Sequence, residues 1–296
     1  MRTGAATEEG SRKKKTGRRN PEEETGREAG ALRFLKNFAW LLAGVCVGCL
    51  AGRMLLPWLT AERPEDDFAA AQLLLEDTEK GGDGLWFRRD TVNADRVYRA
   101  LEAQLPYAFT MHCKTYQDGS AELSVEVENR AAQEQAEALA RAVAGSLGLE
   151  GMERRAQLLA LHDWLVVNCA YDLSVGESEA LDGASPPFTA AGALVGGKAV
   201  CMGYARAYQM LCSAVGIETF FVVSEGMNHA WNGVVLDGQL LFIDCTYDDP
   251  VPDRPGVAGH EYFLVDAQAL RRTHTWDEEF YQVLGSRFYG AGAGGD

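Results

Sequence analysis

Apolar positions recur at helical spacing over two long stretches, Ala131–Leu147 and Met152–Cys169; in the second, Leu158, Leu161, Leu165 and Cys169 form one face. A third helix is predicted to begin at or just before Cys201, because Cys201, Ala205, Tyr208, Cys212 and Val215 follow +4, +3, +4, +3 spacing. Shorter helices are expected near Phe68–Leu75 and over Asn93–Gln104. Between these segments lie β-rich runs. Tyr107–Tyr116 and Ala121–Val127 flank Gln117-Asp118-Gly119-Ser120, which predicts a hairpin. Glu218–Val223 predicts a single strand, and His229–Leu236 and Gln239–Asp244 flank Asp237-Gly238, the signature of a two-residue hairpin turn. Helices and hairpins in separate runs imply an α+β fold.

One stretch fits neither pattern. Asn37–Leu59 is almost wholly apolar, with Arg53 as its only charge. Twenty-three helical residues span about 34 Å, enough for a hydrocarbon core of about 30 Å. Trp40 and Trp58 lie where interfacial aromatics belong, and Arg53 is close enough to one end to snorkel. A cleaved signal peptide is the alternative, but no clear small-x-small cleavage site stands out. Charge supports the anchor. Residues 1–36 carry 10 basic and 6 acidic side chains on a chain whose formal net charge is −15. Five Lys/Arg fall in residues 17–36 and only Arg63 in residues 60–79, so the tail is expected in the cytoplasm and the body outside it. The acidic body argues against nucleic acid as a partner.

The organisation that follows is a disordered basic cytoplasmic tail (1–36), a transmembrane helix (37–59), a stalk (60–83) and a small α+β region (84–148). A larger domain (149–275) and a C-terminal segment with a Gly-rich tail (276–296) complete it.

Chemistry concentrates in residues 196–250. Gly196-Gly197-Lys198-Ala199-Val200 delivers Cys201 to a helix start, where free N–H groups and the helix dipole favour a thiolate. The Asp-Gly turn fixes the register of the hairpin. With Leu236 opposite Gln239, Trp231 faces Asp244, and His229 and Asp244 share a face as diagonal neighbours. A thiol, a base and a carboxylate that orients the base are the parts of covalent acyl transfer. Taken singly, Cys201 reads as a small buried apolar residue, and Trp231 as packing. His162 and Asp163, which interrupt an apolar helix face, read as a core or capping hydrogen bond, and Asp248-Asp249 as a solvated turn.

The runs Gly197-Lys198-Ala199-Val200-Cys201-Met202-Gly203-Tyr204-Ala205, His229-Ala230-Trp231-Asn232 and Phe242-Ile243-Asp244-Cys245-Thr246-Tyr247-Asp248-Asp249-Pro250 resemble the core of the transglutaminase-like superfamily. His162-Asp163-Trp164-Leu165, Tyr171-Asp172 and Tyr262-Phe263-Leu264-Val265 are similar to its bacterial members. The resemblance covers about residues 150–270. It implies a papain-like α+β core with the nucleophile helix packed on an antiparallel sheet, Cys201 as nucleophile, His229 as base and Asp244 as its partner. The implied reaction is acyl transfer or hydrolysis on an extracytoplasmic protein or peptide amide. A cell-wall peptide amidase or peptidase using the same site, and a non-catalytic peptide-binding module, are the alternatives. Tyr171 and Trp231 are candidates for stabilising the oxyanion.

No cofactor and no metal are expected, since no CxxC pair lies outside the apolar segment. Five of the seven cysteines fall in the body, an odd number that suits one free thiol. The sequence does not specify an oligomeric state.

Overall fold

The computed structural model describes residues 61–177 and 183–290, which lie in a compact unit spanning residues 58–296. The basic tail and the apolar segment at 37–59 lie outside the described residues. Among the described residues, no helix is long and apolar enough to cross a membrane.

The N-terminal part of this unit contains α1 (Asp67–Glu79), β1 (Leu85–Arg88), α2 (Ala94–Gln104), β2 (Phe109–Thr115) and β3 (Ser120–Val127). The strands pair antiparallel in the order β1-β3-β2. Asp66 and Asn93 cap α1 and α2, each accepting backbone N–H bonds of the first turn. The segment expected as a stalk is built into the body instead. Phe68, Ala70, Ala71 and Leu74 on α1 are buried, and Phe68 packs against Phe280 with ring centroids 5.0 Å apart.

Helices α3 (Arg130–Ser146) and α4 (Arg154–Asn168) follow, then β4 (Ala170–Tyr171), α5 (Ala190–Leu194), β5 (Lys198–Ala199) and α6 (Cys201–Ser213). Next come β6 (Thr219–Ser224), β7 (His229–Leu236) and β8 (Gln239–Ile243), an antiparallel sheet in that order, and finally α7 (Ala267–Leu270) and α8 (Glu278–Leu284). The expected register holds: Leu236 opposes Gln239 and Asn232 opposes Ile243.

The β6-β7-β8 sheet is covered on both faces, which is why β6 and β7 read as nearly continuous apolar runs. Val234 and Ile243 belong to a core shared with α3, α4, α5 and α6. Phe220, Val222, Trp231 and Phe242 join the opposite core, with α1, α2 and α8. Gln209, buried on α6, ties the layers together, its Nε2 donating to the carbonyls of Ala103, Gln104 and Thr219. The five described cysteines are all free, and only Cys113 is exposed.

A buried ion pair also crosses this junction. Arg206 Nη2 lies 3.8 Å from Glu102 Oε1, and both side chains are buried. Burial raises the Glu102 pKa and lowers that of Arg206, each opposed by the partner's charge. Removing one partner leaves the other charge stranded. Glu102→Ala should therefore cost about 3 kcal/mol in urea denaturation; a loss within the scatter of a surface substitution would show that the Phe188 and Gly183 carbonyls satisfy Arg206 without it.

Candidate active site

Cys201 is the first residue of α6 and is 7% exposed. Its position is set by backbone geometry. Gly197 adopts φ +66°, the Val200 N–H donates to the Pro187 carbonyl at 2.9 Å, and β5 pairs in parallel with β4 just before the helix. Gly203 leaves room for this close approach: a Cβ there would lie 2.6 Å from the Pro187 oxygen and 2.7 Å from the Ala199 Cβ. Gly203→Ala should destabilise the protein by about 1–3 kcal/mol and slow alkylation of Cys201, checked by denaturation and by mass spectrometry of the labelled peptide.

His229 opens β7. Pairing places it on one face of the sheet with Trp231, Val222 and Phe220, whereas Ala230, Asn232 and Val234 face α6. Asn232 holds the two elements together, its Nδ2 donating to the Ala205 carbonyl at 2.9 Å. Trp231 stacks beside the imidazole at 5.6 Å.

Asp244 follows β8 and is 1% exposed. Its Oδ2 lies 2.6 Å from His229 Nε2, the hydrogen bond expected from the register. The same oxygen is 2.9 Å from His274 Nε2, while Oδ1 accepts the backbone N–H groups of Thr246 and Tyr247 at 2.9 and 3.0 Å. Burial alone would raise the Asp244 pKa, but hydrogen bonds from His229 and His274, the His229 charge and the Tyr247 N–H outweigh it and lower it. His229 moves the other way. Burial opposes its charged form, yet the Asp244 and Cys201 hydrogen bonds and charges raise its pKa from 6.5 to about 9. With Nε2 committed to Asp244, Nδ1 is the ring nitrogen left for the thiol.

The β4–β5 bridge sets Tyr171 opposite Ala199, two residues before the nucleophile. Its pKa is raised by burial and then by the charges of Cys201, Asp244 and Tyr247. The other oxyanion candidate is oriented differently. Trp231 Nε1 is buried without a partner within the sheet packing, so Trp231 serves as a wall behind His229.

The sequence reading misses His274. It is 1% exposed, with Nδ1 2.8 Å from Thr273 Oγ1. Accepting from that hydroxyl leaves Nε2–H to donate to Asp244. No spacing signal marks His274, which reaches Asp244 across 30 residues of chain. Asp248 and Asp249 also differ from the expected solvated turn, being buried at 3% and 5%. Asp249 Oδ2 meets the Tyr204 hydroxyl at 2.5 Å. Burial pushes the Asp249 carboxyl up to about 6, against the Tyr204 hydrogen bond and with help from the Asp253 charge. His162, by contrast, makes the core hydrogen bond expected of it, from Nε2 to the buried Asp248.

Two solved structures resemble parts of the chain. One, described as a TGase, is 17% identical and aligns over 46% of this chain and 43% of its own length, with a TM-score of 0.32. The other, a candidate cysteine protease from Cytophaga hutchinsonii, is 14% identical over 51% of this chain and 66% of its own, with a TM-score of 0.31. The chain thus spans less than two thirds of either. No curated protein matches it. Residues 137–245 match the family model described as the transglutaminase-like superfamily, a span that includes Cys201, His229 and Asp244. The chain thus contains a transglutaminase-like domain over residues 137–245.

Proposed function

We propose that the chain is a cysteine enzyme that transfers or hydrolyses acyl groups of protein or peptide amides through Cys201, His229 and Asp244. The observation that carries the reading is the 2.6 Å bond between His229 Nε2 and Asp244 Oδ2, and the raised pKa of His229, to which Cys201 contributes, supports the same centre. In the first half-reaction the Cys201 sulfur attacks the amide carbonyl carbon and the carbon–nitrogen bond breaks. The departing nitrogen takes a proton from His229, leaving a thioester on Cys201. An amine or water then attacks the thioester and gives its proton to His229 as the carbon–sulfur bond breaks and frees the Cys201 sulfur. The Cys201 backbone N–H, at the helix start, and the Tyr171 hydroxyl are the donors best placed for the oxyanion.

The apolar run at 37–59 and the basic residues before it support a single membrane anchor, with an extracytoplasmic catalytic domain and substrate. The test is direct. Full-length protein is incubated with glutamine-containing and cell-wall peptides, with and without a primary amine, and followed by intact mass. A thioester adduct that Cys201→Ala abolishes supports the reading, and the ratio of amine to water products separates transferase from amidase. Equal turnover by Cys201→Ala would refute it.

A further inference from the structure

A second cluster of histidines and carboxylates lies outside the triad. His162, on α4, is fully buried. Its Nε2 is 3.2 Å from Asp248 Oδ2, and its Nδ1 is 3.0 Å from Asp163 Oδ1. The same Asp163 oxygen is 2.7 Å from Nε2 of His260, in the loop after β8. One ligand atom from each of His162, Asp163 and His260 therefore lies within 4.8 Å of the others.

The orientation of His162 is fixed from behind. Asp248 is buried and itself anchored, accepting the Tyr262 N–H at 3.0 Å, so it holds His162 by an Nε2–H donor. The lone pair of Nδ1 is then turned toward a carboxylate oxygen. Two acceptors facing each other at that distance repel unless a proton or a cation sits between them. A histidine whose far nitrogen donates to a carboxylate is the usual outer arrangement of a metal-ligating imidazole. On the open side, the Asp163 and His260 side chains are 41% and 49% exposed, leaving room for water as a fourth ligand. Phe263 packs on the His162 ring at 5.3 Å, giving the pocket an apolar wall.

We propose that His162 Nδ1, Asp163 Oδ1 and His260 Nε2 bind a divalent cation, with zinc the best chemical match, that staples α4 to the loop following β8. Two imidazole nitrogens and one carboxylate oxygen suit zinc, at about 2.0–2.2 Å per bond. Tetrahedral geometry would set the ligand atoms about 3.3 Å apart, against 3.0 and 2.7 Å for the two pairs that share Asp163 Oδ1 and no more than 4.8 Å for the third. The other histidine pair, His229 and His274, is committed to Asp244 Oδ2, and all three of those residues are buried. The stapled loop runs from Asp244 to Tyr262, whose carbonyl accepts the Asp244 N–H at 3.0 Å. Cation binding is therefore expected to stiffen the segment that carries the triad carboxylate.

The test uses the full-length protein stripped with chelator and titrated with zinc by calorimetry, alongside His260→Ala and Asp248→Asn. Wild type should bind about one equivalent, His260→Ala should lose that binding, and Asp248→Asn should weaken it about 10–100-fold. His260 is half exposed, so its loss leaves the core intact. Cobalt(II) should give a visible spectrum without a thiolate charge-transfer band, and Cys201 should alkylate at an unchanged rate in the presence of zinc. No binding by wild type, equal binding by His260→Ala, or a thiolate band with protection of Cys201 would each overturn the proposal, the last by moving the ion to the nucleophile.

Discussion

Asp244→Ala should be among the most damaging single substitutions in the protein, lowering both stability and turnover. The carboxylate accepts four hydrogen bonds: two imidazole N–H groups at Oδ2 and two backbone N–H groups at Oδ1. Truncation leaves all four donors in a buried site without an acceptor. Each unsatisfied group costs about 1–3 kcal/mol, and breaking a buried charged network costs about 3–5 kcal/mol. A loss near the upper end of that range is expected in denaturant titration. Turnover should fall by roughly 10⁴, the scale seen when a triad carboxylate no longer sets the histidine tautomer. Asp244→Asn should recover most of the stability and little of the activity. A stable, active Asp244→Ala variant would remove the carboxylate from the mechanism.

The second large effect is in the pH profile. His229 has a folded pKa of about 9 against 6.5 unfolded, so its contribution to stability is fully present below about pH 6.5 and is lost as the pH rises through 9. Asp244 has the opposite sign. Its folded pKa is lowered, so its contribution is present above the unfolded value of 3.8 and is lost as the pH falls through the folded one. Stability should therefore be greatest between about pH 4 and 6.5 and should decline toward pH 9. Turnover should show an alkaline limb near pH 9, where the imidazolium that protonates the leaving nitrogen disappears. Thermal melts at half-unit pH steps check the first claim and initial rates the second. In His229→Gln the decline in stability from pH 6.5 to 9 should flatten; a wild-type alkaline limb near pH 7 would contradict the assignment.

Much of this site is legible from local chemistry. The Asp237-Gly238 turn dictates which residues oppose each other on β7 and β8, so the His229–Asp244 bond follows from counting along the hairpin. The +4, +3 pattern places the start of α6 correctly at Cys201 for a similar reason, because burial of one face repeats with the helix. His274 leaves no such trace, since a lone polar residue has no period and its contact depends on how the chain returns from α7. Asp248 and Asp249 look like turn residues because the groups that desolvate and bond them, His162 and Tyr204, come from α4 and α6. The helix in the supposed stalk is misleading for the same reason: its partner Phe280 lies more than two hundred residues away.

The account stands on the meeting of Cys201 with His229, and the rate of Cys201 alkylation by iodoacetamide as a function of pH measures that meeting. In wild type, reaction should already be fast at pH 7, because the neighbouring imidazole activates the sulfur. In His229→Ala the rate at pH 7 should drop about tenfold or more and climb only as an unassisted thiol ionises. Superimposable profiles for the two proteins would contradict it.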